Sequence, residues 1–259
     1  MGIVADIVTL GTQRLGITLP LGACDAFESY YALLDENGKN FNLTAITGCD
    51  DVARLHFIDS LAILGAVDFE NARVIDVGSG AGFPGIPLKI AAPSIDLTLL
   101  DATGKRVDFM SRVCDALGFE ASCVHARAED ASRRPDMRER FDVAVSRAVA
   151  RLDVLCELCL PFLRVGGAFL AMKGSDSVSE THDALGAMGV LGARLDGVFE
   201  YVLPEVSRDI EKTPPLSDSP TFCASAADIS RCVAVIRKIS ETPPQYPRRF
   251  AKIQKSPLR

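Results

Sequence analysis

Several absences narrow the reading before any motif is considered. No stretch approaches about eighteen uninterrupted apolar residues, so no membrane-spanning helix is expected. The start, MGIVADIVTLGTQRLGITLP, has no basic segment ahead of its apolar residues, and Asp6, Gln13 and Arg14 interrupt them. No signal peptide is therefore expected. Asp6 also stands where myristoylation at Gly2 would need Ser or Thr. No internal repeat is present. With 48% apolar and 24% charged residues, the chain is not disordered, collagenous or coiled-coil. The eight cysteines are dispersed through 259 residues with no secretory signal, and read as reduced, buried thiols of a cytoplasmic protein. Cys156 and Cys159 form a CxxC, but no second CxxC accompanies it. Leu152, Leu155, Cys159 and Phe162 recur at helical spacing there, so a core helix is expected and no metal site.

What is present begins with an uneven charge. The chain carries −6 overall, which discourages a polyanionic partner. Yet residues 231–259 hold eight basic side chains against Glu241 alone, a net of +7, leaving −13 on the first 230 residues. A basic end on an acidic body suggests contact with a polyanion.

Residues 1–66 read as helical, with a break at Asn37-Gly38, an irregular stretch at 42–46 and a further helix over 50–64. From Arg73, short apolar runs alternate with amphipathic stretches. The runs are 73–77, 97–101, 121–126, 142–146 and 168–172; helices are expected at 84–91, 104–117, near 128–132, at 151–163 and at 177–188. This alternation predicts βαβ units, hence an α/β fold with a parallel sheet covered on both faces. Runs at 198–203 and 232–236 add an antiparallel hairpin at one edge, making a mostly parallel seven-stranded sheet over 67–240. The Pro-, Ser- and Asp-rich residues 205–228 read as an inserted loop. Residues 241–259, with prolines around basic residues and no apolar period, read as an extended basic tail.

The strongest local signal is RVIDVGSGAGFPG. An apolar strand ends at Asp76-Val77, and Gly78, Gly80 and Gly82 come next, before a helix that accepts Pro84 in its first turn. Glycines suit a sharp turn against which a ligand lies on bare backbone, at the carboxyl end of a strand where open α/β sheets bind ligands. Two registers are open. Gly80-x-Gly82-x-x-Gly85 satisfies a dinucleotide fingerprint, although its first glycine falls later after the strand than a pyrophosphate turn expects. Asp-x-Gly-x-Gly-x-Gly from Asp76 looks like the first motif of S-adenosylmethionine-dependent methyltransferases. Asp101 closes the second strand, where a carboxylate can accept both ribose hydroxyls. Ala126-Arg127-Ala128-Glu129 comes after the third strand, at the expected place of an adenine ring.

If the ligand is a methyl donor, the residues after the fourth strand constrain the acceptor. Ser146-Arg147-Ala148 stands where exocyclic-amine methyltransferases have an Asn/Asp-Pro-Pro-aromatic loop. Cys156 and Cys159 belong to a helix face, which disfavours a Cys nucleophile for a carbon acceptor. A ring nitrogen with its own lone pair, such as guanine N7, needs no general base and can react by alignment alone. Against this stand two other readings: a dinucleotide-dependent oxidoreductase using Gly80, Gly82 and Gly85, and a binding protein for nucleotide sensing or ribosome assembly that keeps the fold without turnover.

The segments NLTAI (42–46), HFIDSL (56–61), DVGSGAGFPGIPLKI (76–90), LLDATGKRVDFM (99–110), ARAED (126–130), SRAVA (146–150), MKG (172–174) and YPRR (246–249) together resemble the bacterial small-subunit ribosomal RNA methyltransferase G family, also called glucose-inhibited division protein B. The resemblance spans nearly the whole chain. It implies a Rossmann-like class I methyltransferase fold with an N-terminal helical extension, S-adenosyl-L-methionine as cofactor, and methylation of N7 of the guanine at position 527 of 16S ribosomal RNA. It implies as partner that RNA, the small subunit or its precursor, with the chain expected to act as a monomer.

By motif, the resemblance places Gly78, Gly80 and Phe83 at the cofactor site, Asp101, Ala102 and Thr103 near the ribose, and Ala128 and Glu129 beside the adenine. Arg147 would face both cofactor and acceptor, positioning the acceptor together with Asn42. His56, Asp59, Lys105, Arg106, Lys173, Arg248 and Arg249 would lie near the RNA or the mouth of the site. Two features depart from the family pattern: the 205–228 insertion, and Cys232 where relatives often have His after Arg231.

Overall fold

The alternation of apolar runs and amphipathic stretches produces five parallel strands. In the computed structural model these are β1 (Arg73–Val77), β2 (Asp96–Asp101), β3 (Ser122–His125), β4 (Phe141–Arg147) and β5 (Leu163–Gly174). The structure describes residues 2–41, 46, 48–147, 150–174, 177–206 and 229–259, without the side chains of 38–41 and 177–179. With β6 (Ala193–Leu203) and β7 (Ile229–Lys238) the sheet has seven strands in the order β3-β2-β1-β4-β5-β7-β6. The first five pair in parallel, whereas β7 runs antiparallel between β5 and β6. The expected edge hairpin is thus present, with its later strand on the inner side.

Strand β1 shows why these runs are apolar throughout. Val74 points into one core with Leu97, Leu99, Val143 and Leu170, while Ile75 and Val77 point into another with Leu100, Ala144 and Phe169. A strand covered on both faces needs apolar side chains at both parities. The first core is closed by α1 (Ile3–Arg14), α2 (Ala23–Phe41), α3 (Cys49–Val52), α4 (Asp59–Leu61), α5 (Gly85–Ala91) and α6 (Gly104–Leu117). A π-helical stretch, Ala53–Ile58, joins α3 to α4, and a 3-10 turn comes next at Ala62–Gly65. The N-terminal helices therefore share a core with the sheet: Val4, Val8, Phe27 and Tyr30 belong to the same cluster as Leu97 and Leu99. The second core is closed by α8 (Leu152–Cys159), α10 (Leu185–Val190) and α11 (Phe250–Lys255); α7 (Ala128–Ala131) comes after β3, and α9 (Ser177–Asp183) packs on α8.

Three expectations are changed. Helix α2 does not break at Asn37-Gly38 but runs through to Phe41. Asn37 is buried there, its amide donating to Leu33 O at 2.8 Å and its carbonyl accepting from Arg112 Nη2 at 3.1 Å. That tertiary anchor offsets a weak helix former. The helix expected at 177–188 is divided into α9 and α10.

The C-terminal segment is not an extended tail. Arg138 donates to the carbonyls of Thr242 and Tyr246 at 2.7 and 3.0 Å, and Arg133 donates to those of Gln245 and Pro247. Beyond these turns the chain forms α11, whose Ile253 is fully buried in the second core, worth about 2 kcal/mol by area. An apolar period is invisible in so short a helix because one residue carries its burial. Most of the 205–228 insertion, like Asn42, lies outside the described residues. Cys156 and Cys159 are fully buried on α8, and burial pushes both thiols up from their ordinary range.

Candidate active site

The carboxyl ends of β1, β2, β3 and β4 meet where chain order reverses about β1, the usual ligand crevice of such sheets. The loop after β1 is tied down from several sides. The N–H groups of Gly78 and Ser79 donate to Leu100 O at 2.8 and 3.1 Å, Gly80 N–H donates to Asp101 Oδ2 at 3.0 Å, and Tyr30 Oη donates to Ala81 O at 2.5 Å. Gly80 has φ +62° with open space where a Cβ would project, so bare backbone faces the cavity. Gly82, at φ +103°, has no such room: a Cβ would collide with Ile86 and approach Tyr30 Oη at 2.8 Å. Asp76 is buried, with Oδ2 accepting Gly85 N–H at 2.8 Å and Oδ1 without a hydrogen-bond partner. Burial raises its carboxyl to about 7.

Asp101 is buried at the end of β2. Its Oδ1 accepts Thr103 N–H at 2.8 Å, and Arg106 Nη1 stands 3.5 Å from Oδ2. Oδ1 keeps a lone pair beyond its one bond, and the long Arg106 contact on Oδ2 is one that a ribose hydroxyl can displace. Beside it lies a recess of about 120 Å³, lined by Gly78, Asp101, Ala102, Ala128 and Glu129 among others, and by Leu155, Leu158 and Phe250. Thr103, exposed, occupies the N-cap position of α6 without a side-chain cap bond.

On the other side of Gly78 opens a larger cavity of about 510 Å³. Its wall holds Phe83, His56, Arg147, Asp59, Lys173, Tyr201 and Arg231. His56 stacks on Phe83 with centroids 4.5 Å apart, and the Arg147 guanidinium lies 4.9 Å over the same ring. Arg147 Nη2 is 2.9 Å from His56 Nδ1, and its Nη1 donates to Leu55 O at 3.2 Å. Burial first, and the Arg147 charge second, lower the imidazole to about 3. His56 is therefore neutral, with Nδ1 accepting from Arg147. Asp59 is the buried counter-charge: Tyr201 Oη donates to Oδ1 at 2.8 Å, Arg231 Nε is 3.5 Å from the same oxygen, and Arg147 Nη1 is 3.5 Å from Oδ2.

A family model described as rRNA small subunit methyltransferase G matches residues 23–202, well over half of the chain. The chain belongs to that family. Its relatives include the ribosomal RNA small subunit methyltransferase G of Pelotomaculum thermopropionicum, 42% identical with all of both chains covered, and that of Alkaliphilus oremlandii, 42% identical over 98% of each. The same-named protein of Leuconostoc citreum is 40% identical over 94% of each chain. Among solved structures, M. jannaschii TYW2 in complex with AdoMet matches with a TM-score of 0.50 and 13% identity, over 71% of this chain and 76% of that one. At that identity the likeness concerns the fold, a class I methyltransferase α/β sheet.

Within this methyltransferase G chain, the expected site residues are distributed unevenly. Gly78, Gly80, Phe83, Asp101, Ala102, Ala128, Glu129 and Arg147 line the two cavities that share Gly78. His56 and Lys173 line the larger one, but Lys173 is already committed, donating to Ala150 O at 2.6 Å and pairing with Glu180 at 2.9 Å. Lys105 and Arg106 are exposed on the first turn of α6. Arg248 is elsewhere: its side chain makes a bidentate pair with the buried Glu157, Nε to Oε1 at 2.9 Å and Nη2 to Oε2 at 2.6 Å. Arg248 is thus engaged in an internal ion pair, whereas Arg249 beside it is exposed. Tyr201, Arg231 and Phe250 were not among the expected site residues. Tyr201 and Arg231 face each other across β6 and β7, a register that spacing in one sequence does not reveal.

Proposed function

We propose that this chain methylates N7 of a guanine in the 16S ribosomal RNA of the small subunit, using S-adenosyl-L-methionine. The residues present suit such a donor: Gly80 presents open backbone, Asp101 offers acceptor lone pairs to ribose hydroxyls, and the adjacent apolar recess takes a flat base beside Ala128 and Glu129. S-adenosylmethionine supplies an electrophilic methyl group on a sulfonium. The larger cavity, rimmed by Gly78 and Gly80, is the corresponding place for the guanine.

The observation that carries the acceptor assignment is the state of the ionisable groups in that cavity. His56 is lowered to about 3 and engaged through Nδ1, while both oxygens of Asp59 are engaged by Tyr201, Arg147 and Arg231. Tyr201 is pushed well above its ordinary range by burial and by Asp59. His56 and Tyr201 are not poised to remove a proton at neutral pH, and the Asp59 oxygens are already taken by donors. An acceptor that brings an unprotonated lone pair fits such a wall, and guanine N7 is one. The residues then act by alignment: Phe83, His56 and Arg147 form a flat, partly cationic platform, and Asp59 holds Arg147 and Arg231 in place.

The test is mass spectrometry of 16S RNA from cells with and without this protein, combined with labelled methyl transfer by the purified chain. Loss of one 7-methylguanosine in the deletion, restored by the protein, is expected. An unchanged methylation pattern, or cofactor binding with no transfer to small-subunit RNA or particles, refutes the reading.

A further inference from the structure

The C-terminal segment is positioned by contacts that all lead toward the small recess. Lys238, fully buried, donates to Leu191 O at 3.1 Å and to Thr242 Oγ1, and Glu139 accepts Thr242 N–H at 2.7 Å. Arg138 and Arg133 hold the carbonyls further along. The pairing of Arg248 with Glu157 then fixes the chain against α8, including a 2.7 Å bond from Arg248 N–H to Oε1. Glu157 lies between Leu155 and Leu158, the two α8 residues that line the recess, and Arg248 lies two positions before Phe250, which lines it too. Phe250 is half-buried against the second core and is the one aromatic ring among the described lining residues.

From this geometry we propose that residues 241–259 form a strap that completes the cofactor pocket, and that Phe250 is an adenine-stacking residue. The proposal rests on the reading of the recess as the adenine subsite. A flat heterocycle gains offset stacking from a ring that aliphatic neighbours cannot give. The pairing of Arg248 with the buried Glu157 sets the register of that ring relative to Leu155 and Leu158. The basic charge at position 248 is then a positioning device, spent inside the protein.

The absence of tryptophan from this chain provides a direct probe. In the full-length protein, Phe250→Trp introduces a single indole, and titration with S-adenosylhomocysteine should quench its fluorescence saturably. By calorimetry with the same ligand, Phe250→Ala and Phe250→Leu should bind about tenfold more weakly, and Phe250→Tyr like the wild type. Arg248→Ala should lower cofactor affinity while leaving the salt dependence of RNA binding unchanged.

If the wild type fails to bind S-adenosylhomocysteine, the cofactor reading itself is wrong and the strap falls with it. If the wild type binds and Asp101→Ala does not, but Phe250→Leu binds normally and the indole is silent, the strap proposal alone is overturned. Should Phe250→Ala not fold, the Leu and Trp variants decide the matter.

Discussion

The two cavities that meet at Gly78 are built on opposite principles. The smaller is made of backbone, aliphatic surface and the Phe250 ring, with Asp101 as the one buried carboxylate among its described lining residues. The larger has a charged wall in which Asp59 partly offsets Arg147 and Arg231, and a neutral His56 shares the Phe83 ring with Arg147. On the proposed reading, the first holds a flat, neutral base by shape, and the second presents fixed dipoles and ions rather than a proton acceptor to a purine that gains positive charge during reaction. The contrast predicts that substitutions on one side change cofactor affinity, and on the other side stability and alignment.

The largest effect should come from the charged wall. Asp59→Leu leaves two guanidiniums without their buried counter-charge, and should destabilise the fold by about 3–5 kcal/mol in urea unfolding. It should lower the rate of methyl transfer more than cofactor affinity. An unchanged unfolding midpoint would mean that Arg147 and Arg231 find other partners, and the charged wall would not be a unit.

Next is a pH test on Asp76, beneath the glycine loop. Its ordinary value is 3.8 and burial raises it to about 7 in the fold. Below about pH 4 it is neutral in both folded and unfolded chains; between about pH 4 and 7 only the unfolded chain ionises it, so stability is lost as pH rises toward 7 and levels off above. Asp76→Asn stays neutral. Its stability relative to the wild type should therefore rise between pH 4 and pH 8, by at most about 4 kcal/mol. Thermal melts across that range check it, and a constant difference would show that Asp76 ionises normally. His56 has the opposite sign: lowered from 6.5 to about 3, its contribution is present above pH 6.5 and is lost as pH falls toward 3.

The small recess should respond in a different currency. Asp101→Ala removes the acceptor proposed for the ribose hydroxyls and leaves the N–H groups of Gly80 and Thr103 without their carboxylate partner. A loss of about 2–3 kcal/mol in cofactor binding, near a hundredfold, is expected by calorimetry, with RNA affinity unchanged. Equal losses of cofactor and RNA binding would mean that the two cavities are not separable.

The parts of this site differ in how far they could be read from the sequence. The glycine loop and Asp101 were legible because a strand end and the turn after it are contiguous in the chain, and sheet order alone brings strand ends together. The balance around Asp59 was not legible as a unit, because it joins a helix residue to Tyr201 and Arg231 through the β6–β7 register. The tail misled for a related reason. Counting its cations correctly found a basic end, but the partner of Arg248 is Glu157, 91 positions upstream and buried. Composition reports charge; only packing reports which charges are already paired. The same limit hid Phe250, whose short helix shows no period.

The smallest effect is expected at the outer rim, where Lys105 and Arg106 stand exposed at the start of α6. If these residues contact phosphate, each contact should contribute about one unit to the slope of log affinity against log salt. Lys105→Ala should weaken RNA binding modestly and uniformly across sequences, and reduce that slope by about one, without changing cofactor affinity. Lys105 is the cleaner choice, since Arg106 also stands 3.5 Å from Asp101 and its loss would disturb the recess. Arg248→Ala, measured in parallel, should leave the slope untouched, because its guanidinium is neutralised by Glu157 before any RNA arrives. If Arg248→Ala lowered the slope and Lys105→Ala did not, the electrostatic footprint would lie on the C-terminal segment, and the division between a cofactor side and an RNA side would have to be redrawn around it.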